Sequence, residues 1–218
     1  MLRHYLDDFL GGLDFQAKRV LEIGPASGLL TFEMERRGAS VVSVEIPSDH
    51  IYDVIPYPET YEKWLRANWA GWTPLTNSWW FAHEHFRSNA KVAYICAYDL
   101  DRYDLGRFDI CVISNMLLHN RDPLKILANC ANITDGTCVV IDIVDSLLEQ
   151  SDLPLLRFMP EPSPNPEGEN WNQWWRLSSQ CVRNALSVLG FRQRSEITRF
   201  RPMWNGIPID SFRVRADR

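Results

Sequence analysis

Val20-Leu21-Glu22-Ile23-Gly24-Pro25-Ala26-Ser27-Gly28 is the stretch on which the fold reading turns. Lys18 to Ile23 is a short apolar strand. It runs into a glycine-bearing turn, and Leu29 to Arg37 continues as a helix closed by Gly38. Glycine in such a strand–turn–helix lets the backbone approach a ligand closely. The next strand, Ser40 to Glu45, is rich in β-branched residues and ends on an acid about 20 residues after Gly24. A carboxylate so placed accepts hydrogen bonds from the two hydroxyls of an adenosine ribose.

Outward from this unit, strand-like and helix-like segments alternate, the mark of an α/β doubly wound sheet. Lys91 to Ile95, Phe108 to Ile113 and Thr137 to Val144 supply three further strands, the last after an Asp135-Gly136 turn. A helix follows Asp122-Pro123, where Asp caps and Pro takes the first helical position. Another runs from Ser178 to Leu189 and stops at Gly190. Phe191 to Phe200 and Ile207 to Val214 close the chain as an antiparallel pair, which makes seven strands in one domain spanning 1–218. Two insertions, 47–89 and 145–176, interrupt the alternation. Each leaves the carboxyl end of a strand, the edge where open α/β sheets bind ligands, so both are expected to form a lid.

With these residues in hand, the chain resembles the class I S-adenosylmethionine-dependent methyltransferases along nearly its whole length. Val20 to Gly28 looks like the first motif of that family, and Glu45 like its ribose acid. The resemblance implies a Rossmann-like sheet with S-adenosylmethionine as cofactor, held by Glu22, Gly24, Pro25, Ala26, Ser27, Gly28 and Glu45. Family members carry an Asp for the adenine amino group where this chain has Cys96, which leaves that contact to Cys96 and Ala97 or to Asp99. Ser114 and Asn115, after the fourth strand, fall where the family touches the methionine part of the cofactor. A nucleotide-linked dehydrogenase is the competing reading. It wants G-x-G-x-x-G and a free helix N-terminus, whereas here the middle glycine is missing and Pro25 removes a backbone donor.

Methyl transfer requires an acceptor held in line and, for a hydroxyl, a base. His119, Asp142 and Asp145 are the candidates, with His119 and Asp145 carried forward as catalytic; Asp145 also reads as a cap. Eight of the nine tryptophans lie in the insertions. Pro58 begins a helix bearing Tyr61, Trp64 and Trp69, Trp72 follows, and a second aromatic helix opens at Asn77. Trp171, Trp174 and Trp175 share one helical face. Trp79, Trp80, Trp174, Trp175 and Arg176 are the candidate acceptor contacts, suited to a sugar ring or planar scaffold, with Trp174 and Trp175 packed against Trp79 and Trp80. His83 and His85, two apart on a helix, point to different faces, so no metal is expected.

The chain has a net charge of −5 and a pI near 5.5. Nothing in that balance attracts a phosphate backbone, which argues against a nucleic-acid partner. No signal peptide or membrane span is read, and five scattered cysteines without a CxxC pair suit reduced thiols, so a cytoplasmic location is expected. The reading is therefore O-methylation of a small-molecule or glycan acceptor. The late helix from Trp175, motif I and the Leu118-His119 to Asp122-Pro123 segment also resemble the enzymes that modify wobble uridine in transfer RNA with a carboxylated cofactor. Only about 18 residues precede motif I, so no extra N-terminal domain is expected, and transfer-RNA activity is an alternative. A catalytically inactive cofactor-binding protein is the other.

Overall fold

Strands buried on both faces need helices on both, and the sheet is built that way. The structure, a computed structural model, describes residues 5–47, 53–163, 172–204 and 206–218. The strands are β1 (Arg19–Ile23), β2 (Ser40–Glu45), β3 (Lys91–Tyr94), β4 (Phe108–Ser114), β5 (Thr134–Ile143), β6 (Leu156–Phe158), β7 (Trp175–Leu177), β8 (Arg194–Phe200), β9 (Met203–Trp204), β10 (Ile207–Pro208) and β11 (Ser211–Asp217). Seven of them form one sheet in the order β3-β2-β1-β4-β5-β11-β8. β11 runs antiparallel to both β5 and β8, and the other pairs are parallel. The order reverses between β1 and β4, the switch point where such sheets bind ligands.

Among the described residues five α-helices flank the sheet: α1 (Leu6–Leu10), α2 (Leu29–Arg36), α3 (Tyr61–Phe86), α4 (Pro123–Asn132) and α5 (Ser179–Val188). Alternate residues of each strand feed opposite cores. Leu21, Cys111 and Val140 join α4 and α5 through Ile126 and Val182, while Val20, Val112 and Ile141 join α1, α2 and α3 through Leu10, Met34 and Trp79. Asp122 caps α4 through the Lys125 N–H at 2.9 Å, and Ser178 caps α5 through the Cys181 N–H at 3.1 Å.

Four expectations are corrected. The first insertion carries one helix, α3, not two; it begins at Tyr61 rather than Pro58 and passes through Pro74. Proline inside a helix costs roughly 3 kcal/mol, but both ends of α3 are anchored. Trp64 is buried against Tyr57, and Trp79 is buried beside Phe32. Asp135 and Gly136 lie within β5 rather than in a turn, at an irregularity in its pairing with β4; a Cβ on Gly136 would stand 2.5 Å from the Asp109 carbonyl oxygen. In the last pair β8 starts at Arg194 rather than Phe191, and β11 starts at Ser211 rather than Ile207 because a short ribbon, β9–β10, occupies 203–208. The stretch 145–176 holds the antiparallel pair β6–β7, which reaches Leu177, so Trp174 and Trp175 are not helical; Trp171 lies outside the described residues.

Gly71 sits in the interior of α3 with open space where a Cβ would stand. Gly71→Ala is expected to stabilise the protein by about 0.5–1 kcal/mol, read as a melting temperature raised by about 1–4 °C. An unchanged or lowered melting temperature would count against a helix through this point.

Candidate functional site

A cavity of about 650 Å³ opens at the carboxyl ends of β1, β2, β4 and β5, within the usual size for a small-ligand site. Glu22, Gly24, Pro25, Ala26, Ser27 and Glu45 line it at the centre of the sheet edge, Cys96 and Ala97 beyond β3, and Ser114, Asn115 and His119 at and beyond the end of β4. The sheet thus brings most of the candidate ligand residues, from five separate segments, to one place. Gly28 does not line the cavity. Its left-handed turn (φ +85°) aims the missing Cβ at the rings of Phe32 and Trp79, so this glycine serves helix packing. Asp99 is also off the lining and pairs with Arg102 at 3.2 Å.

Glu22 and Glu45 are both buried, but for different ends. The Glu22 carboxylate accepts from the Thr31 hydroxyl and from Ser43 Oγ at 2.7 Å, and Trp79 Nε1 in turn donates to Thr31 at 3.3 Å. This chain ties β1, β2, α2 and α3 together beneath the loop. Glu45 accepts from the Ile46 N–H at 2.7 Å through Oε1, while its Oε2 finds no hydrogen-bond partner among the described residues. Burial pushes the Glu22 carboxyl up to about 7 and that of Glu45 up to about 8. A buried carboxylate oxygen without a donor costs free energy until a ligand hydroxyl supplies one. Asn115 Oδ1 is orphaned in the same way. Two non-glycine residues on the lining, Ala26 (φ +50°) and Asn115 (φ +49°), hold left-handed backbone. Such strain gathers at ligand sites because only the surrounding structure enforces it.

His119 Nδ1 lies 2.9 Å from the Asn172 carbonyl oxygen. A carbonyl only accepts, so Nδ1 carries the hydrogen and Nε2 keeps its lone pair. Burial holds the imidazole below its ordinary range; the Asn172 carbonyl opposes this, and the nearby Arg176 cation adds to it. His119 is thus a neutral ring on the cavity wall, with its hydrogen on Nδ1 and its lone pair on Nε2.

Asp145 does not share that wall. It is buried in an ion pair with Arg157 at 2.6 Å and caps the following turn through the Leu147 N–H, so its part is structural and the catalytic assignment is withdrawn. Asp142 is likewise off the lining, pushed up to about 7 by burial although the Arg176 cation pulls the other way. None of the five acceptor candidates lines the cavity either. Trp79, 2% exposed, backs Gly28. Trp80, 46% exposed, donates to the Tyr94 hydroxyl at 2.7 Å. Trp174 donates to the Asp53 carbonyl, Trp175 to the Arg121 carbonyl at 3.0 Å, and Arg176 stands near Asp142 and Asp145. Trp174 and Trp175 pack on Phe158, not on Trp79 and Trp80.

Trp72 and Trp204 line the cavity in their place. Ala67, Gly71 and Leu75 recur at intervals of four along α3, and this small-residue face was the signal available in the sequence. Trp204, on a two-residue strand, left none. The two insertions meet through Asp53, which also lines the cavity. It accepts from the Tyr98 hydroxyl at 2.6 Å, from the Arg121 N–H at 2.9 Å and, through its carbonyl, from Trp174.

Residues 2–193 match the protein family described as methyltransferase domain. Over 130 residues the chain is 25% identical to a ubiquinone biosynthesis O-methyltransferase of Acinetobacter baylyi, covering 60% of this chain and 44% of that protein. The chain therefore spans less than half the length of that relative. Its fold is similar to magnesium protoporphyrin IX methyltransferase of Synechocystis PCC 6803, solved with bound S-adenosylhomocysteine: TM-score 0.60, 12% identity, 100% of this chain and 81% of that one. It is similar also to the 1,6-didemethyltoxoflavin-N1-methyltransferase of Burkholderia thailandensis, solved with its acceptor and S-adenosylhomocysteine: TM-score 0.60, 13% identity, 99% and 75%.

Proposed function

We propose that this chain, which belongs to the class I S-adenosylmethionine-dependent methyltransferases, methylates a hydroxyl oxygen of a small-molecule acceptor. S-adenosylhomocysteine leaves, and the hydroxyl proton passes to His119. The observation that carries the reading is the His119 imidazole on the cavity wall, its Nδ1 hydrogen held by the Asn172 carbonyl so that Nε2 keeps its lone pair. The small molecules named for the magnesium protoporphyrin IX and 1,6-didemethyltoxoflavin enzymes support a small-molecule acceptor, and the O-methyltransferase name of the ubiquinone-biosynthesis relative supports oxygen as the atom.

Bound S-adenosylmethionine supplies an electrophilic methyl group. Glu45, with its unfilled Oε2, suits the ribose hydroxyls; Cys96 and Ala97 suit the adenine edge; Ser114 and Asn115 suit the amino-acid end. Neutral His119 takes a proton at physiological pH without first having to lose one. Product formation tests the proposal: S-adenosylhomocysteine release that depends on an added hydroxyl acceptor supports it, while cofactor binding without turnover across hydroxyl, amine and thiol acceptors favours a binding protein.

Ribose hydroxyls donate to a carboxylate, so ligand binding should favour ionised Glu45, which burial holds up near 8 in the free protein. Affinity for S-adenosylhomocysteine is expected to rise with pH across about 6 to 8, with protons released on binding. Calorimetry in buffers of different ionisation enthalpy measures that release; proton uptake would contradict it. Glu45→Gln should abolish the release and weaken binding by about 1–3 kcal/mol.

The insertions act in this reading as a lid, with Asp53 as the point that joins them. Asp53→Ala keeps the carbonyl that Trp174 reaches but removes the carboxylate that anchors Asp53 to Tyr98 and Arg121. It should therefore raise hydrogen exchange in residues 53–60 and 119–123 and weaken S-adenosylhomocysteine binding by roughly tenfold, the scale of one lost buried hydrogen-bonding group. Unaltered exchange in both segments would show that they hold their places without it.

A further inference from the structure

Arginine stays charged throughout the physiological range, so a buried guanidinium calls for a carboxylate or a full set of acceptors. Arg176 has neither. Its Nη1 is buried without a hydrogen-bond partner, and its side chain makes no ion pair among the described residues. The β6–β7 ribbon accounts for the shortage. Arg157 and Arg176 stand directly opposite each other in its register, and like charges so placed repel. Arg157 takes the Asp145 carboxylate at 2.6 Å. Asp142, the other acid acting on Arg176, is buried with Oδ2 unpartnered, and burial pushes it up to about 7. As Asp142 protonates, the cluster is left with two guanidinium charges against the Asp145 carboxylate.

That surplus lies beside the base. The segment entering β7 runs along the turn Leu117–His119: the Trp174 N–H donates to the Leu118 carbonyl at 2.8 Å, and the Asn172 carbonyl takes the His119 Nδ1 hydrogen. Arg176, two residues beyond Trp174, is off the cavity lining, so an acceptor in the cavity does not neutralise it. The other charged side chains of this neighbourhood are engaged. Arg121 pairs with Asp53 at 3.3 Å, and the Asp53 carboxylate also takes the Tyr98 hydroxyl. Asp122 caps α4, and Lys125 stands 6.0 Å over the Tyr98 ring. Arg176 is the charged side chain whose field acts on the His119 ring, and it acts against a positive charge there.

The geometry points to Arg176 as a positioning residue for the base: its unpaired charge, held beside the Leu117–His119 turn, keeps the ring neutral before transfer and drives off the proton captured in it. The inference rests on the proposed methyl transfer for its part in turnover; the action on the ring does not. In that step the sulfur–carbon bond breaks with its electron pair left on sulfur, the oxygen–carbon bond forms, and the hydroxyl proton moves to Nε2. The positive charge of the site therefore ends on the imidazole. Beside a guanidinium in a poorly solvated setting an imidazolium is unfavourable, and its proton passes to water.

Nuclear magnetic resonance of the imidazole protons follows the titration of His119 in protein saturated with S-adenosylhomocysteine, and His119→Gln identifies its signal among the five histidines. Arg176→Met should raise the His119 midpoint by about 0.5 pH unit or more, the scale of one partly screened charge removed. Arg176→Lys keeps the charge and should hold the midpoint within about 0.2 unit of wild type. Arg176→Gln is a second neutral variant and should match Arg176→Met; unimpaired S-adenosylhomocysteine binding shows that each variant is folded. A midpoint unmoved in the neutral variants overturns the inference. So does one that moves as far in Arg176→Lys, because packing rather than charge would then set it. Turnover separates the two readings. A shifted midpoint with no matching shift in the pH–rate profile sinks the transfer role of His119 and leaves the action of Arg176 on the ring standing. A rate that follows the His119 titration while Arg176→Met moves neither keeps the transfer reading and overturns this one.

Discussion

His119→Gln is expected to lower the rate of methyl transfer by about 10²–10⁴-fold, the usual contribution of a positioned general base. S-adenosylhomocysteine should bind it nearly as before. Glutamine can still donate to the Asn172 carbonyl, so the loop geometry is kept while the basic nitrogen is lost. The pH profile carries the sharper signature. In the wild type the rate should rise with pH through a value below the ordinary imidazole 6.5 and then level off, because burial keeps the ring neutral to a lower pH. In His119→Gln that rise should vanish, and residual activity should increase with pH only as the acceptor itself ionises. A variant with wild-type rate and profile would remove His119 from the chemistry and leave it a loop anchor.

Gly24→Val is expected to weaken S-adenosylhomocysteine binding by 100-fold or more, about 2.7 kcal/mol or greater. Gly24 closes β1 with φ +73°, donates its N–H to the Val44 carbonyl at 3.0 Å and lines the cavity. Left-handed backbone costs an L-residue roughly 1–2 kcal/mol, and a β-branched side chain is the worst fit. A Cβ there stands 3.3 Å from the Met116 side chain, and the two added methyls have to displace either Met116 or the ligand. Calorimetry measures the affinity, and circular dichroism separates a folded non-binder from an unfolded one. Gly24→Ala is the graded control, with a smaller loss. Binding within threefold of wild type for a folded Gly24→Val would mean that the ligand does not approach this turn.

The first turn and the acid after it were legible because a backbone need and a side-chain need coincide within one unit of sequence. Gly24 must adopt φ > 0, and Glu45 must end a strand whose other residues are uncharged. His119 was legible as a titratable residue just beyond a strand end. Its role turned on the Asn172 carbonyl 53 positions later, which determines which nitrogen is bare.

Burial periodicity assigned the strands and most of the helices, since an alternating or 3.6-residue pattern states which face needs cover. It could not say which element provides that cover. The tryptophans show the limit. Composition marked 79, 80, 174 and 175 as rich in aromatic surface, but an indole buries equally well in a ligand site, against Gly28 or over a neighbouring strand. The cross-chain partners of each ring settled the matter, and they placed Trp72 and Trp204 at the cavity instead. The same holds for the carboxylates. Glu22, Glu45, Asp142 and Asp145 are one chemical type at three strand ends, and only the tertiary neighbours distinguish a staple, an unfilled acceptor, a buried acid beside Arg176 and an ion pair. Sequence by itself determined the doubly wound sheet, its ligand edge and the turn that a cofactor approaches, because local backbone geometry and apolar periodicity are properties of contiguous residues. Tertiary structure alone decided which side chains face the acceptor, because that depends on contacts between segments as far apart as Phe9 and Trp204, whose pairing no local pattern encodes.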